Sequence, residues 1–395
     1  MKMQSRSTLF RAATVVACTA VLAGCATVKD WFGGDKDDDK PNEPVALVDF
    51  APSVAVTRLW SANAGKGEGV LGLRQGPVVA DGRVFAAALE GGVRAFDLQT
   101  GKPVWTYDSD LRLSGGPGVG DGIVVIGGLD GEVVALDAST GAERWQAKVV
   151  NEVIAAPAIG GGLVFVRSND GRVTAFDAAS GERRWFWNRD VPMLSVRGND
   201  APVLGPGFVF VGNDDGTVVA LSATDGRPLW EQPIGQAEGR TELDRMADVD
   251  GTPVLDGAAL FASSFKGQTV AIDAPSGRPA WAAEYGGAGR VGVASDRLVV
   301  ADTRGTVYGL DKASGSALWS QPGLARRKLT GAAVHGDYAV VGDLDGYLHW
   351  LRLDNGDFAA RERMGGTPLR AAPVVVDGIL IAQNIDGELS AFRLP

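Results

Sequence analysis

Apolar residues in this chain come in short runs broken by turn formers, not in long helical stripes. From Pro77 to the C-terminus one pattern of about forty residues recurs. It is clearest as Pro117-Gly-Val-Gly-Asp-Gly-Ile-Val-Val-Ile-Gly-Gly-Leu-Asp-Gly-Glu-Val-Val-Ala-Leu-Asp-Ala-Ser-Thr-Gly-Ala-Glu-Arg-Trp145, and copies start at Pro77, Pro117, Pro157, Pro202, Pro253, Val291, Ala332 and Pro373. Each copy holds three short apolar runs separated by turn signals and then a fourth run around a tryptophan, which predicts a four-stranded meander. Eight such units predict an all-β, eight-bladed β-propeller of four-stranded antiparallel blades. The last copy stops at Pro395 before its fourth strand, and an orphan strand, Val54 to Trp60, precedes the first copy. That N-terminal strand is expected to close the ring and so to remove an exposed sheet edge.

The turns explain most of the repeated polar residues. A glycine falls fourteen residues into every copy, from Gly91 to Gly387, where a hairpin needs positive φ. Asp137 to Gly141 and Asp177 to Gly181 carry an Asp and Ser/Thr that can bond turn backbone, with Gly taking the left-handed position. These aspartates read as turn formers before they read as acids. Small residues at Ala95, Ala135, Ala175, Ala220, Ala271, Gly309 and Ala391 alternate with large neighbours, which lets blades pack face to face. Trp60, Trp105, Trp145, Trp185, Trp230, Trp281 and Trp319 recur once per blade. An aromatic ligand cage is one reading; packing between blades is the expected one. Copy seven is degenerate, with Trp350 at the small position and Ala360 at the tryptophan position, but its turn residues predict that the blade still forms.

Upstream of the repeats the character changes. Lys2, Arg6 and Arg11 precede the short apolar stretch Ala12 to Ala23, which ends in Leu22-Ala23-Gly24-Cys25. This predicts a secretory leader over 1–24, with a lipidated Cys25 as first mature residue; an ordinary leader with an incidental cysteine is the alternative. Several acyl chains on Cys25 would anchor the chain stably, and Ala26 fits sorting to the outer membrane. Residues 25–53, with the acidic run Asp35 to Lys40 and Pro41, Pro44 and Pro52, read as a flexible tether, leaving 54–395 as the propeller. Cys18 lies in the leader, so no internal disulfide is expected. Losing three basic residues with the leader takes the net charge from −10 to −13, which argues against nucleic acid as a partner.

Catalytic equipment is sparse. The histidines are His335 and His349, both in copy seven, and no thiol beyond Cys25 remains after the leader. Function is then expected where the repeat is interrupted. Most tryptophans lie 10 to 13 residues before the next copy, but the spacing is 17 from Trp185 to Pro202 and 23 from Trp230 to Pro253. Both insertions are the same type of connection and flank copy four, so both should leave one face. The first includes Met193, Leu194, Val196 and Arg197, apolar anchors beside an arginine as in interface centres. The second includes Asp248 and Asp250; an ion-paired surface is expected there, with a Ca²⁺ loop as the alternative.

The Ala-x-Asp-x-x-Thr-Gly-x-x-x-Trp repeat, as in Ala135 to Trp145, resembles the propellers of quinoprotein dehydrogenases, whose usual vicinal Cys pair is missing here. At the insertions, Leu194-Ser-Val-Arg197-Gly and Glu242-Leu-Asp-Arg-Met-Ala-Asp248-Val-Asp250-Gly-Thr-Pro253, the chain resembles the BamB family of outer-membrane assembly lipoproteins. The resemblance spans the whole chain. It implies a non-catalytic scaffold without a cofactor, docked on the POTRA domains of BamA at the outer membrane's periplasmic side. Leu194, Val196, Arg197, Asp248 and Asp250 occupy the family's docking positions, with valine at 196 where leucine is familiar. Unfolded β-barrel substrates adding to a sheet edge are a further partner class. A quinone-dependent propeller enzyme is the alternative.

Overall fold

The computed structural model describes residues 43–69, 71–192, 200–235, 248–249, 251–265 and 267–395. Among these, every regular element is a β-strand, β1 to β32. Each repeat forms one antiparallel sheet, because its hairpin glycines sit at the turns with positive φ, for example Gly131 at 82° and Gly171 at 76°. Blade 1 runs from β2 (Val78–Ala80) to β5 (Pro103–Tyr107), blade 2 from β6 (Gly118–Gly120) to β9 (Glu143–Lys148), and blade 3 from β10 (Ala158–Gly160) to β13 (Arg183–Trp187). Blade 4 runs from β14 (Val203–Gly205) to β17 (Pro228–Pro233), blade 5 from β18 (Val254–Asp256) to β21 (Pro279–Ala283), and blade 6 from β22 (Gly292–Val293) to β25 (Ala317–Gln321). Blade 7 runs from β26 (Ala333–His335) to β29 (Phe358–Arg363). Blade 8 takes β30 (Val374–Val376), β31 (Ile379–Gln383) and β32 (Glu388–Arg393), and completes its sheet with β1 (Thr57–Asn63).

The result is the eight-bladed propeller expected from the repeat, closed by strands from the two ends of the described chain. Thr57 pairs with Arg393 and Asn63 with Glu388 across that closure, and Ser61 Oγ meets Ser390 Oγ at 2.9 Å. Neighbouring blades stack face to face, so the second and third strands of a blade are covered on both sides. Their sequences are therefore continuous apolar runs, such as Ile123–Gly127, while the outer strand Glu143–Lys148 alternates at the rim.

Seven tryptophans sit between blades. Each indole Nε1 donates to a backbone carbonyl of the following blade's outer turn: Trp60 to Leu98 at 2.9 Å, Trp105 to Ala138 at 3.0 Å, Trp145 to Ala178 at 2.9 Å and Trp185 to Ala223 at 3.1 Å. Trp230 reaches Ala274 at 2.9 Å, Trp281 reaches Lys312 at 3.1 Å, and Trp319 reaches Leu353 at 2.8 Å. The ring lies flat on that turn's glycine. A Cβ added at Gly181, whose φ is +72°, would stand 2.7 Å from the Trp145 ring, so the glycine serves both the turn and the neighbour's indole. Within its own blade each tryptophan faces a small residue across the strands, as Ala95 faces Trp105 and Gly309 faces Trp319.

Blade 7 inverts that pair: Trp350 faces Ala360, so the large and small partners exchange strands and the blade still forms. The fully buried Trp350 meets Phe392 of blade 8 edge-on, and its Nε1 donates to His335 Nδ1 at 3.2 Å. His335 Nε2 then donates to the Gly378 carbonyl at 3.0 Å. His349 is likewise held neutral in one tautomer, Nε2 donating to Asp343 at 3.0 Å and Nδ1 accepting from Arg361 Nε at 3.2 Å. Residues ahead of the first strand lie on this blade. Arg327 Nη1 donates to the Val45 carbonyl at 3.0 Å, Arg361 Nη1 to Val48 at 3.1 Å, and Phe50 stacks on Phe358 at 5.4 Å. The segment ahead of the first strand is thus seated on blade 7 through Arg361 and Phe358, while Leu47 also packs towards blade 6 and Val54 and Val56 towards blade 8.

Candidate functional site

In an antiparallel meander, connections alternate between the two faces of the ring. Both insertions join an outer strand to the next inner strand, after β13 and after β17, and so leave the same face on either side of blade 4. Their feet are fixed by charge. Arg189, at the start of the first insertion, bonds Glu231 bidentately with both contacts at 2.9 Å and also bonds Asp215. At the end of the same insertion, Asp200 pairs with Arg167, the last residue of a strand in blade 3. Arg167 Nη2 also reaches Asp214 in a blade 4 turn at 2.8 Å. All three groups of this cluster are buried. Two carboxylates then share one guanidinium away from water.

Burial drives the Asp200 carboxyl up to about 7; Arg167 opposes the rise and Asp214 adds to it. The second insertion ends on the same ground. Asp248 is fully buried, its carbonyl accepts from Phe265 N at 2.8 Å, and Val249 N donates to Asn213 O at 3.2 Å. The two insertions are tied to one another where Ala201 N donates to Thr252 Oγ1 at 3.0 Å. Asp248 is therefore fixed beneath the face by its backbone contacts. Leu194, Val196, Arg197 and Asp250 lie outside the described residues, as does Cys25. Among the described residues no group of His, Cys, Asp and Glu side chains gathers as metal ligands.

Arg167, Asp200, Asp214 and Arg189 are the site residues that the repeat pattern did not single out. One signal was present for Arg167. Ten residues into their copies, the others carry Ala87, Gly127, Gly212, Ser263, Ala301, Gly342 and Gln383, and only this copy carries a charge.

The buried groups give opposed pH responses. His349 has a folded pKa pulled below 6.5, first by burial and only partly restored by Asp343, so the unfolded chain takes the proton first and stability is lost as pH falls below about 6.5. Asp200 has a folded pKa raised from 3.8 to about 7, so the folded chain takes the proton first and stability is lost as pH rises through that window. His349→Gln is expected to melt higher at pH 5 than at pH 7 relative to the parent, and Asp200→Asn lower. Melting curves at the two pH values check this; parallel shifts in both variants would contradict it.

A family profile described as "Outer membrane protein assembly factor BamB" matches residues 57–110, 89–321 and 303–394. The outer membrane protein assembly factor BamB of Xanthomonas campestris pv. campestris is 60% identical over 395 aligned residues, covering 97% of each chain. The crystal structure of BamB from Moraxella catarrhalis superposes with a TM-score of 0.79 at 30% identity, covering 86% of this chain and 100% of that one. Quinohemoprotein alcohol dehydrogenase from Comamonas testosteroni gives a TM-score of 0.65 at 17% identity, with 88% and 78% covered, a likeness of fold alone. With a matching profile over nearly the whole propeller and a full-length relative at this identity, the chain belongs to the BamB family of outer membrane protein assembly factors.

Proposed function

We propose that this chain is the non-catalytic scaffold lipoprotein of a β-barrel assembly machinery, docking on the periplasmic POTRA domains of BamA and assisting the folding and insertion of outer-membrane β-barrels. The observation that carries this reading is the pair of insertions on one face, whose feet are locked together by Arg167, Asp200, Arg189 and Thr252 in a chain of this family. A rigid base lets a docking loop bind without a large ordering cost. Leu194, Val196, Arg197 and Asp250 supply the contacts, with Asp248 buried at the foot of the second insertion. Residues 1–24 are the leader, Cys25 carries the lipid, and residues 25–53 are the tether from the outer membrane, whose last stretch around Val45 to Phe50 is seated on blade 7.

The test is complementation of a strain lacking the chain, read as the amount of folded β-barrel protein in its outer membrane. Restoration by the intact chain is expected. No change in folded barrels on loss of the chain would overturn the reading. Cys25→Ser is expected to release the folded propeller from sedimenting membranes prepared without BamA, because no other membrane anchor is proposed. Its continued sedimentation there would remove Cys25 as the anchor.

A further inference from the structure

Blade 3 departs from the repeat on its outer strand as well as at its insertion. Phe186 stands one residue after Trp185, where the other copies carry polar or small residues, among them Thr106, Gln146, Glu231 and Ala282. Its neighbours Trp185 and Trp187 turn to the face that packs against blade 4. Alternation along the strand sends Phe186 to the opposite face, and 52% of its surface stays exposed. It is the one aromatic among the exposed large apolar side chains of the described residues. Val104, Leu229 and Leu318, also exposed on outer strands, each stand one residue before a tryptophan, so their exposure belongs to the repeat. That of Phe186 does not.

Two guanidiniums lie over this ring, that of Arg172 at 5.1 Å from its centroid and that of Arg183 at 5.6 Å. Arg172 follows the turn glycine Gly171, a place where no other copy has a cation. Arg183 is exposed and Arg172 half-buried, and neither makes a side-chain hydrogen bond or an ion pair among the described residues. Arg184, between them and the tryptophan, is by contrast paired with Asp177 at 2.7 Å. A guanidinium over a ring uses its flat face on the π-system and keeps its N–H edge for a carboxylate. The contact is weak while exposed and strengthens when water is excluded.

The patch adjoins the face from which the insertions leave. Phe186 pairs with Thr174 and Trp187 with Val173, at the strand end beside the Gly171 turn, and Arg189 at the foot of the first insertion follows three residues after Phe186. Arg189 itself is engaged by Glu231 and Asp215, so the open cations on this side are Arg172 and Arg183. We propose that the docking surface continues from the first insertion along the outer strand of blade 3, where Arg172, Phe186 and Arg183 receive a carboxylate-bearing segment of the same protein partner. The inference rests on the docking reading above and gives it a second contact area. Arginines around a partly exposed aromatic match the composition of interface hot spots. In a chain of net charge −10, two open cations on one ring select an acidic partner segment.

The full-length chain in detergent is titrated with full-length BamA in the same detergent, and melting is recorded for every variant. Phe186→Ala is expected to weaken binding about tenfold or more, and Arg172→Gln and Arg183→Gln about threefold or more each, with melting unchanged. Thr106→Ala, at the equivalent place in blade 1, should bind as the parent does. The parent's affinity should also fall more steeply with added salt than that of the Arg172→Gln/Arg183→Gln double variant. Parent-like binding by Phe186→Ala beside weakened binding by Arg197→Ala overturns this extension and leaves the docking reading standing. Failure of the parent to bind BamA removes both. If Phe186→Ala melts lower, the arginine variants decide, and parent-like binding in both overturns the proposal. Equal salt dependence in the parent and the double variant overturns the assignment of an acidic partner segment.

Discussion

Deleting Thr57–Asn63 is expected to lower the melting temperature by on the order of 10 °C or to cause aggregation at physiological temperature. This strand completes blade 8 by pairing along β32, so its loss exposes a row of unpaired backbone groups. It also takes Trp60 from a cluster that joins Ile381 and Ala391 of blade 8 to Val84 and Phe96 of blade 1. Both contacts lie at the one place where the ring joins its two ends. Trp60→Ala alone, which keeps the strand but removes the indole and its bond to the Leu98 carbonyl, is expected to cost about 3–5 kcal/mol. The same substitution at Trp145 should cost a similar amount but leave the closure intact, so only the deletion should add aggregation. Calorimetry and light scattering on the three proteins separate the effects. Unchanged melting after the deletion would mean that the N-terminal strand does not hold the ring together.

The architecture was legible because its causes are local and repeated. Turn glycines, small residues and tryptophans recur at one spacing, and each has a single job that the next blade copies. Even the degenerate copy was readable, since exchanging Trp350 and Ala360 across one strand pair conserves volume. What was hidden depends on contacts between distant parts of the chain. Arg167 meets Asp200 and Asp214 only because one strand end, one insertion and one turn come together in space, and periodicity carries no information about that meeting. Copy seven's histidines were similarly opaque: His349 is set by Asp343 and Arg361, and His335 by Trp350 and the Gly378 carbonyl of blade 8. The insertions themselves stood out in the spacing, though the buried position of Asp248 did not.

Arg197→Ala is expected to weaken binding to isolated POTRA domains about thirtyfold or more, roughly 2–4 kcal/mol, with melting unchanged. The argument rests on the proposed docking role of the first insertion. Arginine can bond a carboxylate with one edge of its fork and present further donors to a partner. Asp248 is buried at the foot of the neighbouring insertion, and Asp250 follows two residues later. Because Asp248 is buried, Asp250 is the proposed partner, and an exposed pair of this kind adds only about 0 to 1 kcal/mol to folding, which is why melting should not move. Desolvated at an interface centre, the same side chain becomes costly to lose. Equal binding by the variant, or weaker binding in step with lost folding, would shift the search to Leu194 and Val196.

The most direct measurement is capture of the full-length chain from detergent-solubilised outer membranes of its own cells, with co-purifying proteins identified by mass. The account predicts that BamA is recovered in near-stoichiometric amount with the intact chain and is depleted when Leu194, Val196 and Arg197 are replaced together by alanine in a protein that still melts as the parent does. Recovery of a folded, fully lipidated chain without BamA would contradict it.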